Sequence, residues 1–440
     1  MKLSVKPSRN LICLPAAVLL TATAQGQFNF TTNTDGSLNI ASYTGSGGSV
    51  VIPDTTNDLP VGTIGNNAFN GSSVVSATIG TNVTAIGSYG FASCKSLTNI
   101  LIPANVTNIG VYALSASSSL PNVVIPYSIS NLSDGLFYNC GSLTNVTILG
   151  SVTNIGSFTL SATSLTSFTI PDSVITVGDH AFDSCVWLTN FTIGSNVTSI
   201  GIQAFNNCKR FTNNVSISSS LTNIGLGAFN GFPGLIFVDA QNLYYSSLDG
   251  ILFDKVRATL IKYPGNKGGS YKIPNTVTNI GAGAFISCSN LISVTIPSSV
   301  IRIGNSAFLF CTGLTSVYCQ GNAPSIGGAV FQSDGNTIYY LPGATGWGTT
   351  YGGRPTKLWN PQVQTSGTTF GVQNNKFGFT ITGSSNLVIV VEAATNLSNT
   401  VWSPVSTNTL NTFVGTNGTS YFSDPQWTNY PAAFYRLRSP

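Results

Sequence analysis

Charge is nearly missing from this sequence. Lys, Arg, Asp and Glu make up 7% of its 440 residues, where an ordinary globular chain carries about 25%. There is one histidine, His180, and one glutamate, Glu392. General acid–base catalysis and histidine-based metal binding both need several such groups converging on one point, so the sequence gives them little to work with. Solubility must rest instead on Ser, Thr, Asn and Gly.

The first 26 residues, MKLSVKPSRNLICLPAAVLLTATAQG, read as a secretory leader. Lys2, Lys6 and Arg9 form its positive region, residues 11–20 its apolar stretch, and Ala22-Thr23-Ala24 its cleavage site. That stretch is too short to cross a bilayer, and no transmembrane segment is expected after its removal. Lys2, Lys6 and Arg9 are three of the 17 basic residues, and the remaining 14 face 13 acids, a net charge of +1. The basic character belongs mostly to the leader, and no electrostatic footprint for nucleic acid remains.

What is abundant is one phrase. I-G-x-x-A-F recurs loosely from Ile64, Ile86, Ile109, Leu132, Ile155, Val177, Ile200, Ile224, Ile280, Ile303 and Ile326. The steps are 22 to 24 residues, except for 56 between Ile224 and Ile280, which marks an insertion. A fixed period of this size predicts a solenoid. Each unit opens with L-T-x-V-x-I, whose alternation predicts a half-buried strand. V-T-x-I-G follows, and then A-F-x-x-C, read as a single helical or 3₁₀ turn that buries Phe and Cys. One unit cannot bury its own apolar side, but stacked units with parallel strands share a core. Eleven such coils, about 4.8 Å apart, would make a rod roughly 50 Å long.

With YTGSGGSVVIPDTTNDLPVGTIGNNAF at residues 43–69 and the repeats after it, the chain resembles the BspA-like leucine-rich-repeat proteins of bacteria over residues 28–341. The resemblance implies a right-handed solenoid, at the cell surface or outside the cell, with adhesion as the role of some members. The insertion, at about residues 239–273, resembles an insert of such arrays. Its Gly250-Ile251-Leu252-Phe253 and Thr259-Leu260-Ile261 predict a hairpin. The reading divides the chain into an N-terminal β cap at residues 27–62, the solenoid at 63–340, a cap and linker at 341–363, and a C-terminal module at 364–440. In that last segment FGFTIT, NLVIVVEA, SYFSD and AFYRLR are short strand-like runs, which predict a small all-β, sandwich-like domain. It resembles C-terminal modules of secreted bacterial proteins, which implies sorting or anchoring, with simple partner binding as the alternative.

Candidate chemistry is sparse. His180 has Asp172, Asp179 and Asp183 near it in sequence, so a hydrolase triad can be drawn. Yet His180 stands in the variable position before Ala-Phe, like Gln203 and Gly283, which predicts an exposed turn residue. Cys94, Cys140, Cys185, Cys208, Cys288 and Cys311 each follow the Phe by three residues and form one core column, with Cys319 in a strand position. Cys185 with Cys208, and Cys288 with Cys311, lie in adjacent coils at a spacing that also permits disulfides. No C-x-x-C pair and no second histidine occur, so no metal or cofactor is expected. Lys255, Arg257, Lys262, Lys267 and Lys272 cluster in the insertion and read as a solvated hairpin, with attraction of an acidic partner or a polysaccharide as the alternative.

The outward strand positions are the strongest candidates for function. Asn145 and Thr147, Ser167 and Thr169, Asn190 and Thr192, and Ser293 and Thr295 would form a neutral lawn of amides and hydroxyls for an extracellular protein or glycan. No aromatic row is read on that face, although Phe237 and Tyr318 lie near its end. A second column, Thr84, Thr107, Thr153, Thr176, Thr198, Thr222 and Thr278, raises ice binding as an alternative. The expectation is a secreted or cell-surface, non-enzymatic interaction protein.

Overall fold

The computed structural model describes residues 27–211, 213–384, 388–395, 401–409, 417–429 and 433–438. The leader at residues 1–26 lies outside the described residues. The chain coils as a parallel-strand solenoid of about 13 turns. Two more coils join the eleven read from I-G-x-x-A-F. One carries Ile40, on the strand Leu38–Tyr43, and the other Leu260, on Thr259–Lys262, and both pair in parallel with the next coil.

Each coil has three sides. The first strand alternates as its sequence requires: in Ser167–Thr169 only Phe168 is buried, and in Asn190–Thr192 only Phe191. The two strands run parallel and in register, Phe168 against Phe191 and Thr169 against Thr192. The second strand, two residues long in most coils, turns one aliphatic side chain inward, as in Ser199–Ile200, where Ile200 is buried, paired with Asn223–Ile224. The glycine after that residue allows the coils to approach. A Cβ on Gly110 would lie 2.4 Å from the Ser88 nitrogen, and one on Gly201 2.5 Å from the Asp179 nitrogen.

The third side is a run of turns rather than a helix. Two residues per coil take positive φ, for example Tyr89 (57°) and Ser93 (55°), then Tyr112 (55°) and Ala116 (54°). Such backbone is unfavourable for residues with a Cβ. Here it turns alternate N–H groups along the solenoid axis: Tyr89, Phe91 and Ser93 donate to the carbonyls of Val111, Ala113 and Ser115. All three sides are thus hydrogen-bonded from coil to coil, which satisfies backbone that would otherwise be buried unpaired. Inside, the phenylalanines stack. Phe69 lies 4.5 Å from Phe91, Phe182 5.0 Å from Phe205, and Phe285 4.6 Å from Phe308.

The N-terminal strand Phe28–Thr32 runs antiparallel to Leu38–Tyr43 and covers that end. The insertion forms three antiparallel strands, Tyr245–Leu248, Ile251–Asp254 and Thr259–Lys262, the last of which takes the second-strand place of a coil. The core divides there: Leu252 packs with the N-terminal cluster, and Ile251 and Phe253 with the C-terminal one. Parallel pairing continues past Leu341, because Arg354–Leu358 adds to Thr337–Tyr340.

The C-terminal segment is a small all-β domain of two antiparallel sheets. One joins Gln362–Gln364, Lys376–Ser384, Gly371–Gln373 and Asn417–Asp424; the other joins Ser403–Thr409, Val388–Ala394 and Phe434–Arg438. Their inner faces share a third core, containing Phe379, Ile381, Phe422, Ile389 and Val391. Tyr318 and Tyr339 belong to that same core, which brings the module onto the solenoid.

Candidate interaction surface

The first-strand face has two outward columns. Asn145, Ser167, Thr169, Asn190 and Thr192 are exposed, and Thr147 is half-buried. Toward the N-terminus the same slots hold side chains that the sequence reading did not single out. Val51, Leu101 (58% exposed) and Val124 (50% exposed) present apolar groups to solvent. Thr78 separates the first two, and Val124 lies against Thr147. Phe237 follows Ser216 at the far end and is also exposed. No outward position on this stretch, from residue 49 to 237, is charged.

Ser293 and Thr295 depart from the expectation. They occupy the outward slots, but they are 5% and 2% exposed. Thr295 pairs with Tyr318, and Tyr318 with Tyr339. The two tyrosine rings stack at 5.2 Å and are both 3% exposed. They are buried against the module, which therefore closes this end of the face. Within the module Arg436 and Arg438 both bond to the Glu392 carboxylate, Arg436 at 2.7 Å. Burial alone would raise the Glu392 carboxyl, but hydrogen bonds from Arg438 and Arg436 outweigh it and hold it below the usual range.

An aromatic row lies on the turn side instead. Tyr89 stacks on Tyr112 at 5.4 Å, Tyr138 meets Tyr112 and Phe158 edge-on, and Phe158 stacks on His180 at 4.6 Å. His180 has positive φ (55°), as its turn position requires, but its ring is part-buried in this row rather than free. Its Nδ1 lies 3.2 Å from Asp183 Oδ2. The other acids turn to backbone: Asp172 accepts from the Ser195 amide and hydroxyl, and Asp179 from the Ile202 amide. Ser184 donates to Asp183, and among the described residues no hydroxyl bonds to the imidazole. The geometry of a triad is not assembled. The carboxylates act as staples from one coil to the next.

All seven described cysteines are free and buried, including Cys185, Cys208, Cys288 and Cys311. The thiols of the six-residue column are occupied: Cys94 donates to the Phe69 carbonyl at 3.0 Å, Cys185 to Leu160 at 3.1 Å and Cys311 to Phe285 at 2.9 Å. Where the slot holds Ser117, its hydroxyl makes the same bond to Phe91, at 2.8 Å. Burial pushes the Cys140 and Cys185 thiols up to about 12 and about 11, which keeps them protonated and unreactive. The threonine column is occupied as well: Thr107, Thr153 and Thr222 donate to carbonyls of the preceding coil. Those O–H bonds run along the axis, from one coil to the one before it. Among the described residues no three of His, Cys, Asp and Glu gather as a metal site.

Two charged residues sit in core slots. Tyr263 donates to Ala284 as Phe285 does to Ala307, which puts Lys262 in the alanine slot of its coil. The solvated hairpin expected for Lys262 is therefore corrected: it is 2% exposed and its Nζ has no hydrogen-bond partner. Removal from water pushes its ammonium below the usual lysine range. Asp334 stands in the cysteine slot, three residues after Phe331, with both carboxylate oxygens buried and unpartnered. Burial raises its carboxyl to about 7, although Arg354 opposes the shift.

Coil, period and strand face together define a leucine-rich-repeat solenoid. The model for "BspA type Leucine rich repeat region" matches residues 62–187, 153–269 and 266–342, in six copies. The chain belongs to that family. Among solved structures, a leucine rich cell surface protein from Faecalibacterium prausnitzii is 26% identical, with a TM-score of 0.55, over 76% of this chain and 94% of that one. A leucine-rich repeat protein from Bacteroides ovatus is 22% identical, with a TM-score of 0.38, over 76% and 98%. The pneumococcal vaccine antigen PcpA is 17% identical, with a TM-score of 0.40, over 71% and 81%. No curated protein matches the sequence. No helix among the described residues is long and apolar enough to cross a membrane.

Proposed function

We propose that this is a secreted or cell-surface, non-catalytic protein that holds an extracellular protein or glycan on the open part of its strand face. The observation that carries the reading is the pair of in-register outward columns. One is mostly amide and hydroxyl, with Asn145, Ser167 and Asn190. The other passes from exposed Leu101 and Val124 to Thr147, Thr169 and Thr192. A rigid ladder presents these groups at fixed spacing, so little order must be imposed when a partner binds. The exposed aliphatics supply burial and the amides supply direction. The Faecalibacterium relative, described as a cell surface protein, supports the location. The C-terminal module serves as the sorting or anchoring element.

The test is a screen of residues 27–440 against a glycan array and surface proteins of neighbouring cells. A saturable hit weakened at least tenfold by both Leu101→Arg and Thr169→Arg is expected. A hit indifferent to both would move the function off this face. Truncation after Pro361 should change where the protein is retained; unchanged retention would remove the anchoring role.

A further inference from the structure

A cleft of about 710 Å³ opens where the module meets the solenoid. Its walls come from sequence-distant parts: Lys272, Thr295 and Gln320 from the solenoid, Trp359 from the connection, and Arg436 and Arg438 from the module. Two features set it apart. Its charged lining is Lys272, Arg436 and Arg438 against Glu392, an excess of two positive charges, in a chain with 7% charged residues and beside a strand face with none in its open part. Three of its lining residues also carry buried polar atoms without a protein partner, Trp359 Nε1, Tyr271 Oη and Tyr318 Oη. Unpaired buried donors are costly, and a water, an ion or a bound group supplies the missing partner.

We propose that this cleft binds a short acidic oligosaccharide. The lining is rich in donors, namely indole, phenol, ammonium and guanidinium, while its one carboxylate is already engaged by two arginines. The fitting ligand is therefore rich in acceptors and negatively charged. Sugar hydroxyls and ring oxygens answer the indole and phenol, and a carboxylate or sulfate answers the cations. Capture of an extended peptide by strand addition needs a free strand edge. The solenoid wall here is the face of parallel strands already paired on both sides, Leu291–Ile296 and Ser316–Cys319. The cleft is separate from the open face and does not depend on the reading given to that face.

Residues 27–440 would be titrated calorimetrically with tetragalacturonate, a sulfated tetrasaccharide, cellotetraose and pentaglutamate. Tetragalacturonate or the sulfated sugar should bind, more weakly as salt rises, and cellotetraose should not. The two acidic sugars distinguish uronate from sulfate recognition. Tyr271→Phe deletes one donor and keeps the ring, Trp359→Phe replaces the indole donor with a smaller aromatic ring, and each should weaken binding about three- to tenfold. Lys272→Ala should also weaken it and flatten its salt dependence. Thermal midpoints should stay near the parent value, and a variant that unfolds leaves the other two to decide. No binding by either acidic sugar at millimolar concentration overturns the proposal, as does binding unaffected by the variants. Equal or tighter binding of pentaglutamate overturns it in favour of an acidic peptide.

Discussion

Up to residue 237 the strand face looks into solvent; from residue 293 on, the same face looks into the C-terminal module. The backbone does not distinguish the two stretches, since both are parallel ladders with one residue per slot. The outward side chains do. Asn, Ser, Thr and a few aliphatics fill the open stretch, whereas Tyr318 and Tyr339 stack in the closed one. The irregular core begins between the two stretches, with Lys262 in an alanine slot, and continues in the closed one, with Asp334 in a cysteine slot. A regular repeat can thus change its outer surface coil by coil, because the core column sets stability and the outward column sets what is touched.

Phe205→Ala would break the shared part of that comparison most severely. The ring is fully buried and stacks on Phe182, Phe191 and Phe229. A loss of about 3–5 kcal/mol is expected in urea denaturation. A loss below 1 kcal/mol would mean that the phenylalanine stack is not the scaffold.

Deleting the module after Pro361 should act on one half only. Hydrogen exchange should show about 2–4 kcal/mol lost from the last coils, where Tyr318 and Tyr339 become exposed, and no change near Phe91. Uniform loss along the rod would contradict a local docking.

The two misplaced charges predict opposite pH effects. The Asp334 carboxyl moves from 3.8 to about 7 on folding, so the folded state holds that proton more tightly. Its contribution to stability is present in acid and is lost as pH rises through about 7. Asp334→Cys restores the column residue; it should flatten this slope and stabilise the protein at pH 8 by about 1–2 kcal/mol. Lys262, whose ammonium is depressed, contributes most above the unfolded lysine value and loses that as pH falls through its folded value. Lys262→Met should remove that trend. Parent-like pH profiles in both variants would refute these assignments.

The smallest effect on stability belongs to the open face. Thr169→Arg and Thr192→Arg should each change it by less than about 0.5 kcal/mol while abolishing capture of the partner. A large stability change would show that these residues hold the fold.

The coil was legible because Val, Ile, Phe and Cys return every 22 to 24 residues, and periodic burial leaves a periodic trace. The amide and hydroxyl slots of residues 145–192 were legible by the same alternation. Leu101 and Val124 share the outward slot of Thr147, but an aliphatic there breaks the polar alternation and reads as core. The burial of Ser293 and Thr295 left no trace in their own repeat. The module that covers them lies about a hundred residues further on, and non-local docking has no period. Tyr318 was the available clue, an aromatic in a solvent slot. Lys262 escaped because its coil reaches the stacked aromatic two residues sooner than the repeat does: Leu260 to Tyr263, against Ile280 to Phe285.

The most direct test is thiol labelling of the native chain. The described native cysteines are all buried, so maleimide should find a silent background. Thr169→Cys should label rapidly, and Ser293→Cys, which is 5% exposed and outside the cleft lining, should resist until the module is removed. Equal labelling of both in the intact protein would contradict a strand face open at one end and closed at the other.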